Sequence, residues 1–381
     1  MKRVYWRPRA VSRTALVLIG IISLVGLLLV ELWKVNAAQP YANEKMAAAK
    51  LAVRAMRVVK EARQQVGPPI DNETDPSESG IIGLPMSEVT SVSGALIAKK
   101  TSINPNFAAV IVDMLKQAGV REGDTVAVGV SGSFPALNIC TFAACETLKL
   151  KYVSIASASA SQWGANVPDL LWIDMERVLN EEGIFTTRSV ASSIGGEEDR
   201  GLGLSDEGRK AVLAGIARNG LELIDPPTFE ENVAKRLDLY RRGAQGQPVK
   251  CYINVGGGAV SVGRAVGKKM FKPGLNVLPP LRVGEIDGVM HDYITQGVPV
   301  IHLVQIVDIA ERYGLPVEPL SFPEVGEANV FEGVDYNKPL VAAVLAVIVG
   351  CLYGFIRSDI GFRLLNASKS KAKDGRPEPM V

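Results

Sequence analysis

The chain is 381 residues long, with 42 Lys plus Arg against 40 Asp plus Glu and a mean hydropathy of +0.16. That balance leaves no overall basic footprint for nucleic acid, and four cysteines without metal-ligand spacing give no sign of a metal centre. Apolar character is gathered at the two ends, and it organises everything between them.

Residues 1–13 form a basic tail with Lys2, Arg3, Arg7, Arg9 and Arg13. Residues 14–30 are then apolar, and with Glu31 and Trp33 as an interfacial end they predict a transmembrane helix over 14–33, since a bilayer core takes roughly 17 to 25 helical residues. A cleaved signal peptide is the alternative, with Val35, Asn36 and Ala37 as its processing site. Residues 34–66 read as a stalk helix. Within it Ala48, Ala52, Ala55, Val59, Ala62 and Val66 recur at steps of four and three, a narrow seam of small side chains that would pack on the protein's own body or on a neighbouring stalk. Residues 67–80, with Pro68, Pro69, Pro76 and four acids from Asp71 to Glu78, lose periodicity and read as a linker.

Residues 81–337 alternate strand and helix signals, in one lobe or two. Strands are predicted at 125–130, 152–156, 251–255 and 298–303, and helices at 135–148, 171–182, 205–219, 229–241 and 285–296. Strands separated by helices imply a layered α/β body, a mostly parallel sheet with flanking helices. Cys140 and Cys145, five apart on one predicted helix, stand roughly 8 to 9 Å from each other, too far for a disulfide. With Cys251 in a strand and Cys351 in the second apolar stretch, they read as small buried side chains.

That second stretch predicts a transmembrane helix over 338–356, followed by a basic tail over 357–381 with Arg357, Arg363, Lys369, Lys371, Lys373 and Arg376. Eleven basic residues in the two tails outweigh the five on the inner flanks, Lys34, Lys45, Lys50, Arg54 and Lys338. This asymmetry places both termini in the cytoplasm and the body outside the cytoplasmic (inner) membrane. Residues 40–337 carry 29 basic and 36 acidic residues, a net charge of −7, which becomes −11 without the stalk helix.

Ligands of an open parallel sheet gather at the carboxyl ends of its strands, and three such loops are rich in small and polar residues. Ser131, Gly132 and Ser133 lead through Phe134 and Pro135 into a helix that carries Asn138. N–H groups at a helix start beside two hydroxyls suit a carboxylate or phosphate. Gly256, Gly257 and Gly258 allow close backbone approach. The third loop runs through Ser157, Ser159 and Ser161 to Gln162 and Trp163.

Nucleotide motifs fail against these loops. Ser261 stands where a dinucleotide fingerprint needs its third glycine, and Arg264 and Ala265 stand where a P-loop needs Lys and Ser or Thr. No cofactor is expected. The run G-V-S-G-S from Gly129 is one glycine short of a nucleophile elbow, and it leaves Ser131 and Ser133 as candidate nucleophiles. His302, near a strand end, is a candidate base, with a satisfied half-buried histidine as the other reading. The glycine-rich loop 195–203, holding Glu197, Glu198, Asp199 and the ligand candidate Arg200, lacks the ligand pattern of a calcium loop and reads as solvated.

Five segments in order, TSINPNFAAVIVDMLKQAGVREGDTVAVGVSGSFPALNI from Thr101, SQWGAN from Ser161, SIGGEEDRGLGLS from Ser193, INVGGG from Ile253 and GVPVIHL from Gly297, resemble the poly-γ-glutamate system protein family over roughly residues 85–332. The resemblance implies a bacterial membrane protein accessory to capsule-type poly-γ-glutamate synthesis or export, working beside the poly-γ-glutamate ligase and its small membrane partner. It assigns no catalytic residues. Each unit of that polymer leaves an α-carboxylate free, which charge-assisted hydrogen bonds favour, while the acidic body disfavours tight sheathing of a polyanion. An enzymatic alternative is a γ-glutamyl hydrolase or transferase using Ser131 or Ser133. A structural alternative is a spacer that joins subunits of the complex through its two spans, with membrane lipid as a further partner.

Overall fold

The computed structural model describes residues 13–358, so the tail cations Lys2, Arg3, Arg7, Arg9, Arg363, Lys369, Lys371, Lys373 and Arg376 lie outside the described residues. The chain divides into two compact units, one of residues 38–332 and one made of the two ends, 1–37 with 333–381.

The larger unit is mixed α/β. Its central sheet has seven strands: β1 (Thr125–Ser131), β2 (Lys151–Ser157), β3 (Ala191–Ser193), β4 (Glu222–Ile224), β5 (Val249–Val255), β6 (Gly274–Asn276) and β7 (Val300–Leu303). They lie in the order β6-β7-β5-β1-β2-β3-β4. All neighbours pair in parallel except β6 with β7, an antiparallel edge. β1 and β5 are central and covered on both faces, which is why TVAVGVS and VKCYINV are almost continuously apolar instead of alternating.

The helices, in chain order, are α1 (Arg13–Leu32), α2 (Ala42–Val66), α3 (Leu96–Ser102), α4 (Phe107–Gln117), α5 (Pro135–Thr147), α6 (Trp172–Glu181), α7 (Asp206–Arg218), α8 (Phe229–Gly243), α9 (Ala259–Val262), α10 (Arg264–Met270), α11 (Val289–Thr295), α12 (Ile306–Tyr313) and α13 (Lys338–Ser358). The predicted strands and helices of the body recur with ends shifted by a few residues. The largest shift is at 285–296, where a 3₁₀ turn over Val283–Glu285 precedes α11.

The helix expected over 34–66 begins only at Ala42, because Val35–Ala38 is a strand, and α2 packs on the body, one of the two packings its seam allowed. Ala48, Ala49, Ala52, Ala55, Met56 and Val59 are fully buried, packed toward α4 and α5. Small side chains let the helices approach closely, and of the two cations this face buries, Lys45 reaches the Asp113 carboxylate at 2.7 Å while Arg63 donates to the Pro68 carbonyl oxygen at 2.7 Å. The 67–80 segment has neither helix nor strand, yet it is ordered around Asp75, whose carboxylate accepts from Ser77 Oγ, Ser79 N, Ser79 Oγ and Gly80 N.

The smaller unit pairs α1 with α13, and Gly26 sits so close to Val344 that a Cβ there would fall 2.5 Å from Cγ1. Of the two spans expected, one is found by length and composition among the described residues: Lys338–Phe355, mean hydropathy 2.0 and wholly unburied. Leu16–Leu32 is apolar but shorter. Leu16, Val17, Leu24, Leu27, Val347 and Val349 are all more than half exposed.

Candidate functional site

From β1 the chain winds outward through β2, β3 and β4, then returns to place β5 on the other side of β1. The connections after β1 and β5 therefore diverge, and a crevice opens between them at the strands' carboxyl ends. A cleft of about 600 Å³ occupies it. Its walls include Ser131 and Ser133 after β1, Ser157, Ser159 and Ser161 after β2, Gly257 and Gly258 after β5, and the basic side chains Lys99, Arg264 and Lys268.

The first loop is held by its own amides. Gly132 N donates to Ser157 O at 3.0 Å, Ser133 N to Ser131 Oγ at 3.2 Å and Phe134 N to Ser131 O at 3.2 Å, so the expected row of free N–H groups is already used. Asn138, fully buried at the start of α5, donates to Ser131 O at 2.8 Å and braces this turn from below. Gly132 is required by crowding: a Cβ would come 2.8 Å from Ser159 O and 3.1 Å from Ala158 O. Gly256 has φ 89°, a left-handed conformation that suits glycine. The Gly257 and Gly258 N–H groups have no hydrogen-bond partner among the described residues.

Lys99, on α3, was not among the sequence candidates. Only 3% exposed, it reaches Ser161 Oγ at 2.8 Å, the Ser133 carbonyl oxygen, and the Phe134 ring with its Nζ 3.8 Å from the centroid. No carboxylate among the described residues pairs with it, and burial alone pushes its pKa down to about 7. Ser161 N donates to Ser133 Oγ at 3.0 Å, tying the two serine loops together.

Below the cleft Asp199 is buried instead of solvated. Its carboxylate accepts from Ser157 Oγ at 3.0 Å, Ser193 Oγ at 2.6 Å and Asn232 Nδ2 at 3.3 Å, and it pairs with Arg236 of α8. Burial opposes the Arg236 charge, but Asp199 together with Tyr240 and Tyr252 more than offsets it, so its pKa is raised. Positive φ at Glu198 (51°) and Asp199 (64°) turns the loop inward. Glu198 faces Arg264 at 3.5 Å, whereas Lys268 is exposed and has no carboxylate within ion-pair distance among the described residues.

Other candidates fall elsewhere. Arg200 is exposed outside the cleft wall, its carbonyl bound by Arg209. Gln162 accepts from Gly94 N at 3.1 Å, and Trp163 packs on the core with its indole N–H buried and unpartnered. His302 is buried in β7, where Asn254 Nδ2 lies 3.0 Å from Nδ1. Burial pushes its pKa down to about 4, so it stays neutral and away from the cleft. No group of metal-ligating side chains occurs among the described residues. Compared with known protein families, curated proteins and solved structures, the chain matches none.

Proposed function

We propose that this is a membrane-anchored accessory protein of poly-γ-glutamate synthesis or export, whose cleft takes hold of a short stretch of the polymer. The reading is supported by one observation above the others. The switch-point cleft combines hydroxyls of Ser131, Ser133, Ser159 and Ser161 and the buried amine of Lys99 with an exposed cation, Lys268, that has no carboxylate partner among the described residues, while Glu198 and Asp199 are internally paired. A carboxylate-bearing chain supplies what Lys268 lacks and can accept hydrogen bonds from the hydroxyls. Glu197 at the rim has no ion-pair partner among the described residues, and together with the net charge of −7 over residues 40–337, which include α2, it limits the grip to a few units of a long polyanion.

Anchoring is supported by the exposed apolar surfaces of α1 and α13 and by the spanning length of α13. Both termini would then be cytoplasmic, with the ligase and its small membrane partner as neighbours in the bilayer. The test is titration of the full chain in detergent micelles with a γ-linked glutamate tetramer. Saturable binding that weakens with added salt, and by about tenfold in Lys268→Ala, is the expected result. Binding that is absent, or indifferent to salt and to Lys268, would remove the basis of this reading.

A further inference from the structure

We infer that Ser161 and Lys99 form a nucleophile and general-base pair that cleaves or transfers an acyl group within the cleft. The inference rests on the preceding reading only for its substrate, the γ-amide of a glutamyl chain. The pair itself rests on geometry. Ser161 Oγ lies 2.8 Å from Lys99 Nζ, both side chains line the cleft, and both are nearly buried, at 5% and 3% exposure.

A lysine serves as a base only if it is neutral at rest, and this one is surrounded accordingly. An apolar ring and a carbonyl oxygen are its other neighbours, and no carboxylate stabilises its charge. A neutral amine can donate to Ser133 O and accept the Ser161 hydroxyl proton with its lone pair. The Phe134 face, 3.8 Å away, then stabilises the ammonium formed when the proton arrives. Ser131 and Ser133, the nucleophiles expected from the sequence, have hydroxyls that accept backbone N–H bonds, from Ser133 N and Ser161 N, and neither has a base hydrogen-bonded to its hydroxyl. Serine with lysine as its base is a known variant of the hydrolytic triad.

The step balances without a cofactor. Ser161 Oγ bonds to the amide carbonyl carbon as its proton passes to Lys99 Nζ. The C–N bond then breaks, and Lys99 returns the proton to the leaving amine, which leaves an ester on Ser161. Water attacks that ester, giving a proton to Lys99 that returns to Oγ as the C–Oγ bond breaks. One amide and one water become one carboxylic acid and one amine; an incoming amine in place of water makes the reaction a transfer.

The test treats full-length protein in detergent micelles at pH 8 with a fluorophosphonate, maps the adduct by peptide mass spectrometry, and separately follows the length of a γ-linked glutamate tetramer. Expected are an adduct on Ser161, slowed by about 10²-fold or more in Lys99→Met and in Lys99→Arg, which keeps a charge but cannot act as base, with shortening of the tetramer lost in Ser161→Ala. Peptides carrying Ser131 or Ser133 should bear no adduct. No adduct on Ser161, an adduct indifferent to both Lys99 variants, or a tetramer that binds but is never cut would overturn the inference. The last of these leaves the binding role intact. Labelling of Ser161 without any tetramer binding would instead keep the nucleophile and reject the polymer.

Discussion

Replacing Lys99 by Met should stabilise the protein most in mild acid and progressively less as pH rises. The ordinary lysine value of 10.5 falls to about 7 in the folded protein through burial. Between those values the unfolded chain binds a proton that the folded chain does not, so folding stability climbs with pH across that window. The cost of burying the ammonium is present in full below pH 7 and is relieved as pH rises toward 10.5. Each pH unit well inside the window is worth about 1.4 kcal/mol. Allowing for partial titration at its lower end, wild type should gain about 2.5 kcal/mol on Lys99→Met between pH 6 and pH 9. Urea unfolding of the full chain in micelles at pH 6, 7.5 and 9, followed through the fully buried Trp172, measures this directly. A stability difference that stays flat over that range would show that Lys99 keeps its proton, and the argument for a neutral amine in the cleft would fail with it.

Glu176 provides the opposite slope. Burial raises its pKa to about 7 against hydrogen bonds from Ser189 and Trp172. Its folded form therefore holds a proton that the unfolded chain has released above pH 4.5, and wild type should lose about 2 to 3 kcal/mol relative to Glu176→Gln between pH 5 and pH 8, measurable by the same unfolding curves. Asp199→Ala strands the Arg236 cation in the interior and should cost about 3 to 5 kcal/mol; a thermal midpoint within a degree of wild type would contradict the buried pairing. Gly132→Ala forces the Ser131 turn away from the Ser159 carbonyl and should cost about 1 to 3 kcal/mol, read as a lower melting temperature and weaker tetramer binding.

Much of the body was legible before any coordinates. The runs at Val126–Val130 and Tyr252–Val255 are apolar enough to be buried strands, and Pro135 marks the first position of α5. What escaped were short or featureless elements. β3 and β4 have three residues each, and Ser192 and Ser193 give β3 no apolar signal. Their pairing is dictated by neighbouring strands, a tertiary cause. The alanine seam of α2 was visible, but which surface it covers depended on α4 and α5 being there to receive it.

The site divides the same way. Its location follows from local chemistry: glycine and serine clusters directly after apolar runs are where strands end and turns begin, and the three loops chosen on that ground all contribute to one cleft. Its working groups do not. Lys99 stands in ALIAKK beside Lys100 with nothing to distinguish the two, and only the fold buries one against Phe134 and Ser161 while leaving the other near Glu318. Asp199 looked solvated within its glycine-rich loop until left-handed turns drove it under β2 and β3 to meet Arg236, which comes from a helix thirty-seven residues away. Periodicity and composition act over a few neighbouring residues, so they determine elements and loops. Burial, charge partnership and proton affinity depend on groups distant in the chain, and those the tertiary structure alone decided.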